Sequence, residues 1–183
     1  MAALINGIYL SRDVFKQIKD RYSESGMIVL HDFFDRAMYD RLKGILKAGG
    51  EKKYVADRFS YEEINGDEFL GLFRGEFRDF IKGLTGRDDF EVRFRKFSWK
   101  DYTLIHDEVE RKGADFFFFV SETWKDEWGG YKVYVSDEPM IFPVVGNALC
   151  VISREGMNDF VKYLNNKAEG SFVIIEGNVP AEN

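Results

Sequence analysis

The sequence predicts an α+β fold: helices first, then a run of short strands that closes as a double-sheet barrel or jelly roll. Three observations carry this. Apolar residues recur at helical spacing as far as Leu84. From Phe90 the period changes to two, with Phe90, Val92 and Phe94 on one side and Glu91, Arg93 and Arg95 on the other. Aromatic residues reach 16%, with 18 Phe, which suits sheets whose interior is filled by rings. At 183 residues, 45% hydrophobic and 32% charged, the chain is long enough to bury a core as one domain. Proline occurs only at 139, 143 and 180, so no linker divides it. The expected division is helical support with short strands over 1–88 and a β core over 89–179.

Taken in order, Ser11 is placed to cap a first helix, with Asp13 in its positive first turn. Val14, Phe15, Ile18 and Tyr22 share its apolar side until Gly26 stops it. Residues 27–30 read as a short strand. Asp35 is placed to cap a second helix carrying Met38, Leu42, Ile45 and Leu46, ended by Gly49 and Gly50. Residues 51–64 are polar and mixed and predict a loop with one short strand near 54–56. A third helix is expected from Asp67, its face traced by Phe69, Leu70, Phe73, Phe77, Phe80, Ile81 and Leu84 up to Gly86. A ring stripe at that spacing is core packing rather than a cofactor box. Residues 90–179 read as strands and turns, except that 159–164 fits a strand or a helix equally.

Several function classes are disfavoured by composition. The net charge of −6 leaves no basic surplus to neutralise phosphates, so no nucleic-acid partner is expected. No run approaches the roughly 20 apolar residues of a membrane span. The first residues lack the charged and apolar regions of a signal peptide, and a cytoplasmic location is expected. The single cysteine, Cys150, excludes an internal disulfide framework and a multi-cysteine zinc site. It lies in the apolar run 148–152 and reads as a buried, inert thiol.

Chemistry concentrates in 104–143. This stretch opens on His106-Asp107-Glu108 and a basic pair, Arg111-Lys112. An apolar run over 116–120, then Trp124, Trp128 and Gly129-Gly130, a second β-rich run over 131–135, and Pro143 follow. Asn147 and Val161-x-x-Leu164 lie beyond it. This series resembles the prolyl-hydroxylase-like branch of the 2-oxoglutarate/Fe(II)-dependent oxygenases over roughly residues 94–177. The resemblance implies a double-stranded β-helix core with N-terminal supporting helices. It also implies Fe(II) and 2-oxoglutarate as cofactors if the site is active, and a protein or peptide as partner.

The resemblance places candidate metal ligands at His106, Glu108 and Asp159. Each departs from or only partly keeps the family pattern. Glu108 stands where the pattern has Asp, Asp159 where it has a second His, and no cation stands near Ser171-Phe172 where it has Arg; Lys167 is the nearby one. One imidazole with two carboxylates is a harder, more anionic set than two imidazoles with one carboxylate, and suits Mn or Mg better. A dianionic co-substrate would meet that charge without a bidentate guanidinium. Arg93 and Arg95 are the candidate replacements, against an outward, solvated strand face. Trp124 and Trp128 are candidates for a peptide groove, against a hairpin turn with aromatic cover. The alternatives are a hydrogen-bonded histidine at a strand end for His106, a solvated turn carboxylate for Glu108, and a helix cap for Asp159. No catalytic residue is assigned. Two functions follow: a non-catalytic or divergent relative of the oxygenase fold that binds a peptide or protein, or an active dioxygenase hydroxylating a protein side chain at an atypical His/Glu/Asp site.

Overall fold

The computed structural model describes residues 4–105, 112–154 and 156–181. Helices α1 (Gly7–Leu10) and α2 (Arg12–Ser25) open the chain. Ser11 caps α2 as expected, its Oγ accepting from Val14 N at 3.4 Å. Strand β1 (Met27–Leu30) follows, then α3 (Arg36–Leu42), whose first turn is capped by Asp35 Oδ1 accepting from Ala37 N at 2.9 Å. A 3-10 turn over Lys43–Lys47 extends it.

Two local expectations are corrected. Residues 51–64 are a hairpin rather than a loop, β2 (Gly50–Val55) paired with β3 (Phe59–Ile64). Strand β2 is largely exposed at the sheet's edge, so no apolar alternation marks it. The third helix is broken into α4 (Asp67–Leu70), a 3-10 turn over Gly71–Phe73, and α5 (Glu76–Thr85). The break falls at Gly75, whose φ of 59° and ψ of −123° a side chain would strain. It lets Phe73 and Phe77 both bury and starts α5 at Glu76, whose Oε1 accepts from Leu4 N and Ile5 N at 3.1 and 2.7 Å.

The remaining strands are β4 (Val92–Phe97), β5 (Tyr102–Thr103), β6 (Gly113–Val120), β7 (Lys132–Val135), β8 (Met140–Phe142), β9 (Leu149–Ser153), β10 (Asn158–Val161) and β11 (Phe172–Pro180). The ambiguous stretch 159–164 is thus a strand at its start. The main sheet runs β1-β9-β6-β11-β4-β3-β2, with β5 joined to β3, and the small sheet runs β10-β7-β8. Strand pairing is antiparallel throughout.

The main sheet has two buried faces. One packs on the helices through Phe33, Phe34, Phe73, Phe77, Phe116 and Phe118. Each such ring contributes on the order of 1.5–3 kcal/mol by leaving water. The other face meets the small sheet through Phe97, Phe117, Phe119, Tyr134, Phe142 and Phe172. Asn147 joins the N-terminal layer to the barrel: its Oδ1 accepts from Phe34 N at 2.9 Å, and its Nδ2 donates to Phe34 O at 3.0 Å. Cys150 is buried as expected, and burial pushes its thiol up to about 12.

Candidate functional site: a charged barrel mouth

Alternation sends Arg93 and Arg95 of β4, Asp115 of β6 and Glu176 and Asn178 of β11 to the barrel side of the main sheet. The small sheet supplies Lys132 from β7 and Asp159 from β10, and Arg154 follows β9. These side chains line a cavity of about 370 Å³.

They form one continuous network. Asn178 Nδ2 donates to Asp115 Oδ1 at 2.8 Å, and Tyr134 Oη donates to Asp115 Oδ2 at 3.1 Å. Arg154 bridges Asp115 Oδ2 and Asp159 Oδ1, each at 2.5 Å. Lys132 Nζ bridges Asp159 Oδ2 at 2.7 Å and Glu176 Oε2 at 2.9 Å. Arg95 closes the chain on Glu176 Oε1 at 2.8 Å. Three cations thus balance three carboxylates, which is what lets charges persist where solvent is scarce. Lys132 is 3% exposed and lies 5.5 Å from the ring centres of both Phe117 and Tyr134, which adds cation–π attraction.

Proton affinities follow from this geometry. Burial alone would lower the Lys132 ammonium, but Asp159, Glu176 and Asp115 outweigh it and hold it above its ordinary value. Burial would raise Asp159, but Lys132 and Arg154 hold it well below the usual carboxylate range. Glu176 is likewise raised by burial and pulled down further by Arg95 and Lys132, to about 2. Two buried donors in the network, Nε of Arg95 and Nε of Arg154, have no hydrogen-bond acceptor among the described residues.

Of the candidate metal ligands, His106 and Glu108 lie outside the described residues. Asp159 is a strand residue of β10 rather than a helix cap, and both its oxygens are taken by cations. A carboxylate in that state does not fit a metal ligand, because a divalent ion would have to displace Lys132 or Arg154. Among the described residues no three His, Cys, Asp or Glu side chains are grouped to hold a metal. Nor do the walls fit a dianion well, since Arg95 is committed to Glu176 and stacks on the Tyr61 ring at 4.9 Å.

Arg95 faces the cavity, correcting the solvated-face alternative for that residue, while Arg93 is exposed at the rim. Trp128 is buried, and Trp124 lies edge-on to Phe172 with ring centres 4.7 Å apart. The Trp124 indole N–H donates to Gly129 O at 2.9 Å, and neither tryptophan lines the cavity. Sequence reasoning missed Asp115, Lys132, Arg154 and Glu176. Their signal was a charge placed on the inward period of an apolar strand: Asp115 before Phe117 and Phe119, Glu176 after Phe172 and Ile174.

No protein-family model matches the sequence, and no curated protein matches it. Solved structures do. A prolyl-4-hydroxylase from Pseudomonas putida is 13% identical, with a TM-score of 0.67 over 91% of this chain and 98% of that one. A prolyl hydroxylase from Trichoplax adhaerens, in complex with a hypoxia-inducible-factor peptide fragment, is 10% identical, with a TM-score of 0.69 over 90% and 88%. A 2OG-Fe(II) oxygenase family oxidoreductase from Burkholderia pseudomallei is 12% identical, with a TM-score of 0.64 over 89% of each chain. With helices backing one face of an antiparallel main sheet and a small sheet closing the other, the chain has the prolyl-hydroxylase-like fold of the 2-oxoglutarate/Fe(II) oxygenases.

Proposed function

We propose that this protein is a non-catalytic relative of the prolyl-hydroxylase-like oxygenases that binds a peptide or protein segment at its barrel mouth. The observation that carries the reading is Asp159, at the position the sequence resemblance gives to the second metal-binding histidine. Its two oxygens are held by Lys132 and Arg154. The cavity lining sets four cations, Arg93, Arg95, Lys132 and Arg154, against five carboxylates, Asp89, Glu91, Asp115, Asp159 and Glu176, so a dianionic co-substrate would find no surplus of positive charge. A peptide suits the site better. Arg93, exposed at the cavity rim, can meet a peptide carboxylate, and the Trichoplax neighbour of the same fold was solved with a peptide.

Titration with Fe(II) or Mn(II), then with 2-oxoglutarate, followed by calorimetry and succinate release, tests the reading. No 2-oxoglutarate-dependent heat and no succinate are expected. Metal-dependent 2-oxoglutarate binding with succinate release would establish instead a dioxygenase working through His106 and Glu108.

A further inference from the structure

We propose that the free edge of β2 is an interface with a second copy of this chain, the two β2 strands pairing antiparallel about a twofold axis at Lys52. The proposal is independent of what the barrel mouth binds. Strand β2 ends the main sheet, and among the described residues its strand neighbour is β3. Arg58 N donates to Val55 O at 2.9 Å across the hairpin turn, so the backbone of Val55 faces β3. Alternation then turns the backbone groups of residues 51, 53 and 55 to β3 and leaves the N–H and C=O groups of 50, 52 and 54 on the open edge. Such an edge pairs with another strand unless something prevents it.

Lysine is a common preventive, and β2 carries two. Here both already have carboxylate partners. Lys52 is bonded to buried Asp101, and Lys53 to Glu51 at 2.7 Å, with Glu63 at 3.7 Å. Charge therefore selects a register rather than forbidding pairing. With the axis at Lys52, the two Lys52 residues form the central hydrogen-bonded pair, each ammonium drawn aside by its own Asp101. Glu51 of each copy then faces Lys53 of the other at the closer, non-hydrogen-bonded spacing. Moving the axis one residue either way would set Lys53 against Lys53, or Glu51 against Glu51, at that closer spacing.

Shape selects the same register, because it places Tyr54 of each copy opposite Gly50 of the other. Tyr54 is 64% exposed. Gly50 borders an open hollow of about 650 Å³ with Ile64, Leu70, Val92 and Phe94 in its apolar wall. Gly50 pairs with Ile64, which packs into the helix-side core, and alternation puts Tyr54 on that same side. An aromatic ring laid over a cross-strand glycine is a favourable pairing. Knob and hollow thus sit on one strand, and a twofold axis midway between them brings each to its complement.

Sedimentation equilibrium of the full chain tests the proposal. The mass is expected to rise towards twice that of the monomer between about 1 and 500 μM, with a Kd on the order of 100 μM, because pairing one edge buries less than a standard interface. Glu51→Lys and Lys53→Glu should each weaken self-association by about tenfold, since each puts like charges in both outer pairs. Mixed one to one, each variant supplies the charge the other lacks, and association at the wild-type strength is expected. Tyr54→Ser leaves every charge in place and should also weaken the dimer by about tenfold, with an unchanged unfolding midpoint; it decides the matter should a charge variant be unfolded. A wild type that stays monomeric at about 500 μM overturns the proposal. So does a dimer indifferent to Tyr54→Ser, or a mixture of folded charge variants that associates no better than either alone.

Discussion

The two faces of the main sheet are built from the same strands and differ in what they demand. Residues 114, 116, 118 and 120 of β6 and 173, 175 and 179 of β11 turn to the helices, and all are apolar. Residues 115, 117 and 119 of β6 and 172, 174, 176 and 178 of β11 turn to the barrel. There the composition is graded: rings at one end, where Phe97 and Phe172 stack at 5.4 Å, and charges at the other. On the helix side a residue needs only contact. On the barrel side each polar atom needs a specific partner, and the network supplies one for every carboxylate oxygen of Asp115, Asp159 and Glu176. Strands β6 and β11 are therefore largely buried on both faces and still carry a site on one of them.

The largest expected effect is on the helix side. Phe118 lies between 4.8 and 6.4 Å, centre to centre, from Phe33, Phe34, Phe73, Phe77 and Phe116. Phe118→Ala should cost about 3–5 kcal/mol in denaturant unfolding, through lost burial and an unfilled cavity. That cost should be the same at pH 7 and pH 3.

Asp159→Asn should behave differently. At pH 7 it should cost roughly 3 kcal/mol, because it weakens the pairing of buried Lys132 and Arg154. The folded-state values of Asp159 and Glu176 lie below their unfolded ones. Their contribution is therefore full above about pH 5, shrinks as pH falls through the unfolded carboxylate value near 4, and is gone below the folded value. Lys132 is shifted upward, so its share is full below its unfolded value of about 10.5 and is lost only as pH rises through its higher folded value. Wild type and Asp159→Asn should thus converge as the pH is lowered from 7 to 3, whereas wild type and Phe118→Ala stay apart. A constant gap for Asp159→Asn would show that the lost contacts are steric rather than ionic.

What the sequence made legible follows the same division. The helix-side face was readable because its rings repeat at 3.6 and 2 residues, as in Phe77, Phe80, Ile81 and Leu84 or Phe90, Val92 and Phe94. The broken helix at Gly75 and the hairpin at 50–64 were not, since tertiary contacts to Glu76 and an exposed edge strand leave no period. At the site, Arg95 and Asp159 were found through a resemblance, but their roles were not. Lys132 and Glu176 are 44 residues apart in sequence and meet only because β7 and β11 lie on opposite barrel walls. Ion pairing at that separation leaves no local pattern, and a lysine opening a strand reads as surface.

A charge-neutral exchange should have a smaller effect than breaking the network. Lys132→Met/Asp159→Asn removes one cation and one anion together, leaving Glu176 with Arg95 and Asp115 with Arg154. Replacing a buried ion pair by uncharged groups is often close to neutral, so a change within about 1.5 kcal/mol is expected, with a shallower loss of stability in acid. A cost as large as that of Asp159→Asn would mean that the pair itself, and not merely the absence of unpaired charge, holds β7 and β10 together.

The smallest effect on stability should come from the rim. Arg93 is exposed, lines the same cavity, and has no ion-pair partner among the described residues. Arg93→Ala should therefore change unfolding free energy by less than about 0.5 kcal/mol. None of its five donors has a side-chain partner among the described residues, so the same variant should weaken capture of peptides from an immobilised array, most of all those with an acidic residue or an exposed C-terminal carboxylate. The two readouts separate scaffold from surface. Unchanged stability with weaker capture places the partner at the barrel mouth, and unchanged capture places it elsewhere on the fold.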